Sequence, residues 1–180
     1  MSKTKIISIS GVTSGGKTTT VNELLNRLPN SEALFFDDRD YATISGITDL
    51  GEWERNGWDM SQWNLQDFVD DIENLLQDNL DYIILDYPFG YMHNEVSGFI
   101  SLNVFIDTPL DVAMARRMLR DFRNSSTSDI MDDMEWYLDE GRELFISSNE
   151  IQSEDADLII DGSLPVNKRC DEIINAIHSL

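Results

Sequence analysis

Residues 11–18 read Gly11-Val12-Thr13-Ser14-Gly15-Gly16-Lys17-Thr18 and fit the pattern G-x-x-x-x-G-K-[ST]. Before them, Lys5-Ile6-Ile7-Ser8-Ile9-Ser10 is a short apolar, β-branched run. After them, Thr18 to Leu28 carries Val21, Leu24, Leu25 and Leu28 at helical spacing. Strand, glycine loop and helix in that order are the context that gives the motif meaning. Glycine has no Cβ to forbid positive φ, so the loop backbone can close its N–H groups around phosphate oxygens. The start of the helix adds unpaired N–H groups and the positive end of a dipole. Gly11 through Thr19 therefore form a candidate nucleotide-phosphate segment. Lys17 is placed to reach the β- and γ-phosphates, and the Thr18 hydroxyl to bind Mg²⁺. The competing reading is a glycine turn that caps a structural helix.

The rest of the chain repeats the same alternation of apolar runs and helical patterns, which predicts an α/β fold with a parallel sheet. Strands are expected at Ile6–Ser10, Ala33–Phe36, Tyr82–Leu85, Asn103–Ile106 and Leu158–Ile160. Their continuous apolar character suits a sheet covered on both faces. Helices are expected over about Leu65–Asn79, from Thr108-Pro109 onward with the threonine as cap, over about Ile130–Phe145, and from Pro165. The run Asn124-Ser125-Ser126-Thr127-Ser128-Asp129 reads as a flexible polar loop. Residues 42–62 hold three glycines without clear periodicity, as lids and binding loops often do. The whole, residues 1–180, is expected to be one domain, with an acceptor-binding loop about 39–63 and a lid about 116–130.

With 34 acidic and 13 basic residues the net charge is −21. Nucleic acid and anionic membrane are excluded as expected partners, because counterion release needs clustered Lys and Arg. No apolar run approaches the ~20 residues of a membrane span. The opening Met1-Ser2-Lys3-Thr4-Lys5 lacks the apolar core of a signal peptide, and one cysteine, Cys170, suits a reducing compartment, so a cytoplasmic location is expected. A polyphosphate can bind so acidic a chain only where positive charge is concentrated. Four of the 13 basic residues, Arg116, Arg117, Arg120 and Arg123, fall within eight positions.

The remaining candidates stand at predicted strand ends, where ligands bind in open α/β sheets. Asp37 and Asp38 follow the second strand; one carboxylate there suits a proton acceptor for an attacking hydroxyl, and the other suits water or Mg²⁺. Asp86 ends the third strand, the position of a Mg²⁺-organising carboxylate beside a phosphate loop, and Tyr87 follows it toward the substrate side. Thr18, Asp37 and Asp86 are thus the candidate metal ligands. Arg116, Arg120 and Arg123 share a helical face with Arg117 alongside, a cluster able to stabilise charge on a moving phosphoryl group; pairing with Asp111 and Asp121 is the structural alternative. Trp53, Trp58, Asp59 and Trp63 suggest either a stacking platform with Asp59 on substrate hydroxyls or a small satellite core.

Taken together these residues resemble the uridine kinase and nicotinamide riboside kinase group of P-loop kinases. The segment Ile9 to Thr19 looks like the opening of those enzymes, and Leu28-Pro29-Asn30 followed by Phe36-Asp37-Asp38 falls where they carry their base-bearing motif. Ile106 to Asp121 is similar to their lid helix, and Ala156 to Ile160 to their last strand. The resemblance implies a P-loop NTPase three-layer sandwich, a five-stranded parallel sheet in the order 2-3-1-4-5 flanked by helices. It implies ATP and Mg²⁺ as cofactors and Asp37 as the base that deprotonates a sugar 5′-hydroxyl. It implies Arg117 and Arg120 as phosphate-binding lid residues, Arg116 at the nucleotide, and Arg123 standing in for later lid arginines. Asn56-Gly57-Trp58-Asp59 loosely resembles the segment whose aspartate holds ribose hydroxyls. The expected activity is transfer of phosphate to a hydroxyl on a small molecule, a nucleoside or nucleoside-like compound, by a monomer or homodimer. The hairpin that uridine kinases insert before the third strand has no counterpart here.

Two other classes of protein share such a loop. A GTPase-type switch requires D-x-x-G, and no glycine here has Asp three positions earlier. A nucleotide-binding regulatory protein without catalysis and a kinase for a sugar or vitamin precursor remain as alternatives.

Overall fold

The computed structural model describes residues 4–38, 41, 43–44 and 50–180. Five strands form one parallel sheet: β1 (Lys5–Ser10), β2 (Ser31–Phe35), β5 (Tyr82–Asp86), β6 (Leu102–Asp107) and β7 (Leu158–Asp161). Two further strands, β3 (Thr43–Ile44) and β4 (Trp63–Asn64), pair antiparallel in a separate ribbon. The sheet order is β2-β5-β1-β6-β7. It differs in its numbering from the expected 2-3-1-4-5, because the ribbon strands lie in the chain before the third sheet strand. They are two residues long, too short to leave a periodicity. Of the expected acceptor segment 39–63, residues 39, 40, 42 and 45–49 lie outside the described residues.

Strand alternation divides the core between the two faces. Ile7 and Ile9 of β1, Ile84 of β5 and Val104 and Ile106 of β6 pack with Val21 and Leu24 of α1 (Lys17–Arg27) and with Cys170, Ile173 and Ile177 of α8 (Val166–His178). Ile6, Ile83 and Leu85 point the other way, toward Phe68, Val69 and Ile72 of α3 (Gln66–Leu75). On this face the rings of Phe36, Tyr41, Phe68, Tyr87 and Phe89 interlock, with Phe68 stacked on Tyr87 at 5.2 Å between centroids and edge-on to Phe36 at 5.5 Å.

The segment read as irregular holds a short helix, α2 (Leu50–Arg55), and its tryptophans make a satellite core. Trp53 is buried, with ring centroids 4.7 Å from Trp58 and 5.6 Å from Trp63. A four-residue helix, α4 (Asn94–Ser97), follows β5. α5 (Leu110–Asp121) bears the arginine cluster. Beyond it, the expected loop at 124–129 is a turn only to Ser126, and its second half is the start of α6 (Thr127–Trp136), because Ser126 and Asp129 form a reciprocal capping box. The single helix expected over 130–145 is α6, a π-helical turn at Tyr137–Gly141, and α7 (Arg142–Glu154). At Gly141 an added Cβ would lie 2.7 Å from the Trp136 ring, so a glycine lets that ring close over the turn.

Phe68 is fully buried at the centre of the ring cluster. Phe68→Ala is expected to destabilise the fold by about 3–5 kcal/mol, through lost apolar burial and the cavity left behind. Urea unfolding of the two proteins measures this difference; a loss under 1 kcal/mol would mean that the cluster is not a packed core.

Candidate active site

The phosphate-loop backbone is tied to α7 and to the turn between β6 and α5. Gly11 N–H donates to Gln152 Oε1 of α7 at 3.1 Å. The Thr108 hydroxyl donates to Gly15 O at 2.7 Å. Inside the loop Gly15 N–H donates to Val12 O at 2.9 Å. Thr108 was expected to cap α5; its hydroxyl is committed to the loop instead, and Pro109 occupies the cap position. Gly11 has φ 137° and passes so close to β6 that a Cβ would lie 2.8 Å from Ile106 O. Gly16, with φ 104°, turns the chain into α1 in the left-handed conformation. Ser14 also has positive φ, 57°, and its buried hydroxyl has no partner among the described residues.

Register then brings the carboxylate into place. Ile9 at the end of β1 pairs with Asp86 at the end of β5, so Asp86 stands beside the mouth of the loop. Thr18 donates its hydroxyl to Asp86 Oδ2 at 2.5 Å. Asp86 is 6 % exposed, and burial holds its carboxyl above the usual carboxylate range. The Thr18 bond and the Lys17 charge oppose that rise, while Asp37 and Asp38 add to it. The Lys17 ammonium donates to Gly11 O at 3.0 Å and Val12 O at 3.2 Å. Burial lowers its pKa, and the charges of Asp86 and Asp37 partly restore it. One hydroxyl and one carboxylate, both oxygen donors, are a fitting set for Mg²⁺, which characteristically binds through one or two carboxylates plus substrate phosphates.

An open cleft of about 670 Å³ runs over the loop, lined by Thr13, Ser14, Gly16, Lys17, Thr18, Thr19, Asp37, Arg116, Arg120 and Arg169. Asp37 sits in a one-turn 3₁₀ helix, Phe36–Asp38, just past β2, and is exposed to the cleft. Asp38, also exposed, does not line it. Arg120 lines it while bonded through Nε and Nη2 to Asp121, at 2.6 and 2.8 Å.

Five sequence candidates stand elsewhere. Arg117 turns away from the cleft into an ion pair with Asp133, its guanidinium 5.8 Å from the Trp136 ring centroid. On α5 the i, i+4 pair 116 and 120 faces the loop, and 117 falls on the flank that meets α6. Arg123, beyond the end of α5, donates to Leu119 O. Trp58 donates its indole N–H to Ser147 of α7, and Asp59 accepts from Ser61 N–H and hydroxyl as a local cap. Tyr87 is fully buried in the ring cluster, its phenol pushed far above its usual pKa by burial. Sequence reasoning missed three residues: Gln152, Thr108 in its loop role, and Arg169 of α8. Arg169 shares the i, i+4, i+8 stripe of Ile173 and Ile177, and a lone arginine on an apolar helix face was the available signal.

No protein family's profile matches the chain. The chain is 24 % identical over 149 residues to uridine kinase from Ureaplasma parvum serovar 3, covering 68 % of this chain and 72 % of the relative. Among solved structures it is similar to the tunicamycin resistance protein of Deinococcus radiodurans, with TM-score 0.57, 17 % identity and coverage of 97 % and 95 % of the two chains. It is similar also to deoxyadenosine kinase from M. mycoides, with TM-score 0.52, 14 % identity and coverage of 98 % and 100 %. The chain thus resembles P-loop small-molecule kinases in sequence and in fold. No helix among the described residues is long and apolar enough to cross a membrane.

A carboxyl whose pKa is raised on folding favours the folded state below the ordinary aspartate value, and that contribution is lost as pH rises through the raised one. Asp86→Asn keeps the Thr18 bond and removes the buried charge. The variant is expected to gain stability relative to the parent as pH rises from about 4 to 7, the span above the ordinary aspartate pKa. Paired urea titrations across that range check the sign; a parent that gains on the variant instead refutes it.

Proposed function

We propose that the chain is a kinase that transfers the γ-phosphoryl group of ATP to a hydroxyl on a small molecule, a nucleoside or nucleoside-like compound. The observation that carries this reading is one cleft that joins a phosphate loop, Lys17, the Thr18–Asp86 pair and an exposed carboxylate, Asp37. The likeness to a uridine kinase supports the choice of acceptor class.

The roles follow from position. The loop N–H groups between Gly11 and Thr19, other than those of Gly11 and Gly15 that are bonded to Gln152 and Val12, hold the polyphosphate. Lys17 exchanges its two carbonyl partners for phosphate oxygens and offsets charge as it develops on the transferring group. Arg120 and Arg116 add positive charge from the lid side. Asp37 accepts the proton of the acceptor hydroxyl as its oxygen attacks phosphorus. Thr18 and Asp86 would hold Mg²⁺, which when bound neutralises phosphate charge. We also propose one catalytic domain over 1–180, with the acceptor side formed around 39–63.

Asp37→Asn is expected to reduce turnover by at least 10²-fold, in line with loss of a general base, and to leave ATP binding within about twofold. Lys17→Ala is expected to abolish both. Acceptors are found by thermal shift with a non-hydrolysable ATP analogue across nucleosides, sugars and vitamin precursors, since a ligand that binds the folded state raises its melting temperature. Near-parental turnover of Asp37→Asn with the acceptor so identified would remove Asp37 as the base.

A further inference from the structure

Arg169 is placed where an arginine is costly unless an anion joins it. It lies on α8, about 150 positions from the loop in sequence, and is only 5 % exposed. Its guanidinium rests against Gly16, the residue that opens α1: a Cβ on Gly16 would lie 2.6 Å from Nη1. The absence of that Cβ is what admits the side chain. Nε and Nη1 are buried and have no hydrogen-bond partner among the described residues. Among the described residues no carboxylate pairs with it there, although the chain has 34 acids for 13 bases. Its neighbours are instead positive: the N-terminal end of α1, with its unpaired N–H groups, and Arg116 of α5. Burial and the Arg116 charge both lower its pKa, the direction expected of a cation lacking a counter-charge.

We propose that Arg169 is a binding residue for the polyphosphate of the nucleotide, reaching it from α8 while Arg116 reaches it from α5. The inference rests on the phosphate-loop reading and adds to it a contact from the far end of the chain. An anion seated in the loop accepts from the buried guanidinium, satisfies N–H groups that folding alone leaves open, and offsets the repulsion between the two arginines. The guanidinium fork suits tetrahedral oxyanions because it donates two parallel bonds in fixed geometry.

The test is calorimetric binding of ATP and of inorganic pyrophosphate to the full chain and to Arg169→Met, Arg169→Lys and Lys17→Ala, with unliganded melting temperatures for each. Arg169→Met is expected to melt at or above the parent temperature without ligand, since it removes a buried unpaired charge. It is expected to bind both ATP and pyrophosphate about tenfold to a hundredfold more weakly, the range for loss of a charge-assisted hydrogen bond. Arg169→Lys is expected to recover only part of the loss. Parental affinity for both ligands in Arg169→Met, together with loss of binding in Lys17→Ala, overturns the proposal and leaves the loop reading intact. Parental affinity in both variants overturns the two together. Should Arg169→Met unfold, Arg169→Gln carries the same comparison. A fold lost in both variants overturns the proposal, since the guanidinium is then structural.

Discussion

The site depends on the close passage of Gly11 under β6. With no Cβ, the chain leaving β1 runs against Ile106 O and can turn with φ 137°. That passage puts the loop over the carboxyl ends of β1 and β6, where Gln152 takes the Gly11 N–H and Thr108 holds Gly15 O. A loop whose Gly15 carbonyl and first N–H are bonded outward can keep its remaining N–H groups turned to the cleft. The anion site is therefore built by restraint of backbone, with side chains from β6–α5 and α7 supplying that restraint. Pre-formed donors of this kind lower the reorganisation needed when charge arrives.

Charge is arranged against the grain of the composition. The chain carries −21, yet Lys17, Arg116, Arg120 and Arg169 converge on one cleft. Asp121 holds Arg120 in a two-bond pair at the rim, so its positive charge is partly compensated there. Arg117 is compensated fully by Asp133 and by the Trp136 ring, and contributes to the packing of α5 on α6. Arg169 has no such compensation among the described residues. A strongly acidic exterior with a basic cleft would discriminate by location: polyphosphate would be repelled over most of the surface and attracted at the cleft.

Most of the scaffold was readable because burial imposes period. Each main-sheet strand is an apolar run, and the alternation of Ile6 against Ile7 and Ile83 against Ile84 matches the two packed faces. Asp86 was readable because its meaning lies in position, at the end of an apolar strand beside a glycine loop. Arg117 was misplaced because adjacent arginines look equivalent in a sequence, while a helix rotates neighbours by about 100° and sends them to different partners. Arg169 left only the signal of a lone arginine on an apolar helix face, and Gln152 left none. Their partners are Gly16 and Gly11, residues about 150 and 140 positions away, and no local pattern encodes a contact of that span. The ribbon β3–β4 escaped because two-residue strands have no period to detect.

The resting position of Lys17 links the fold to the proposed chemistry. Its ammonium is bonded to Gly11 O and Val12 O, so the loop's own carbonyls stand in for the oxygens of a ligand. Burial makes the charged form expensive, and two neutral acceptors repay that only in part; Asp86 and Asp37 offset more of it through charge, yet the pKa stays lowered. A phosphate offers charged acceptors in place of neutral ones, and charge-assisted bonds are roughly twice as strong. The exchange therefore favours binding without any need for the helix or the strand to move. Asp86 faces the same choice, since its bond to the Thr18 hydroxyl holds a buried carboxylate that lacks a full counter-charge. A divalent cation between the two would relieve it. Lysine, carboxylate and the α8 arginine are thus three incompletely compensated charges beside one cleft, and the Mg²⁺-polyphosphate of the proposed reaction would satisfy all of them at once.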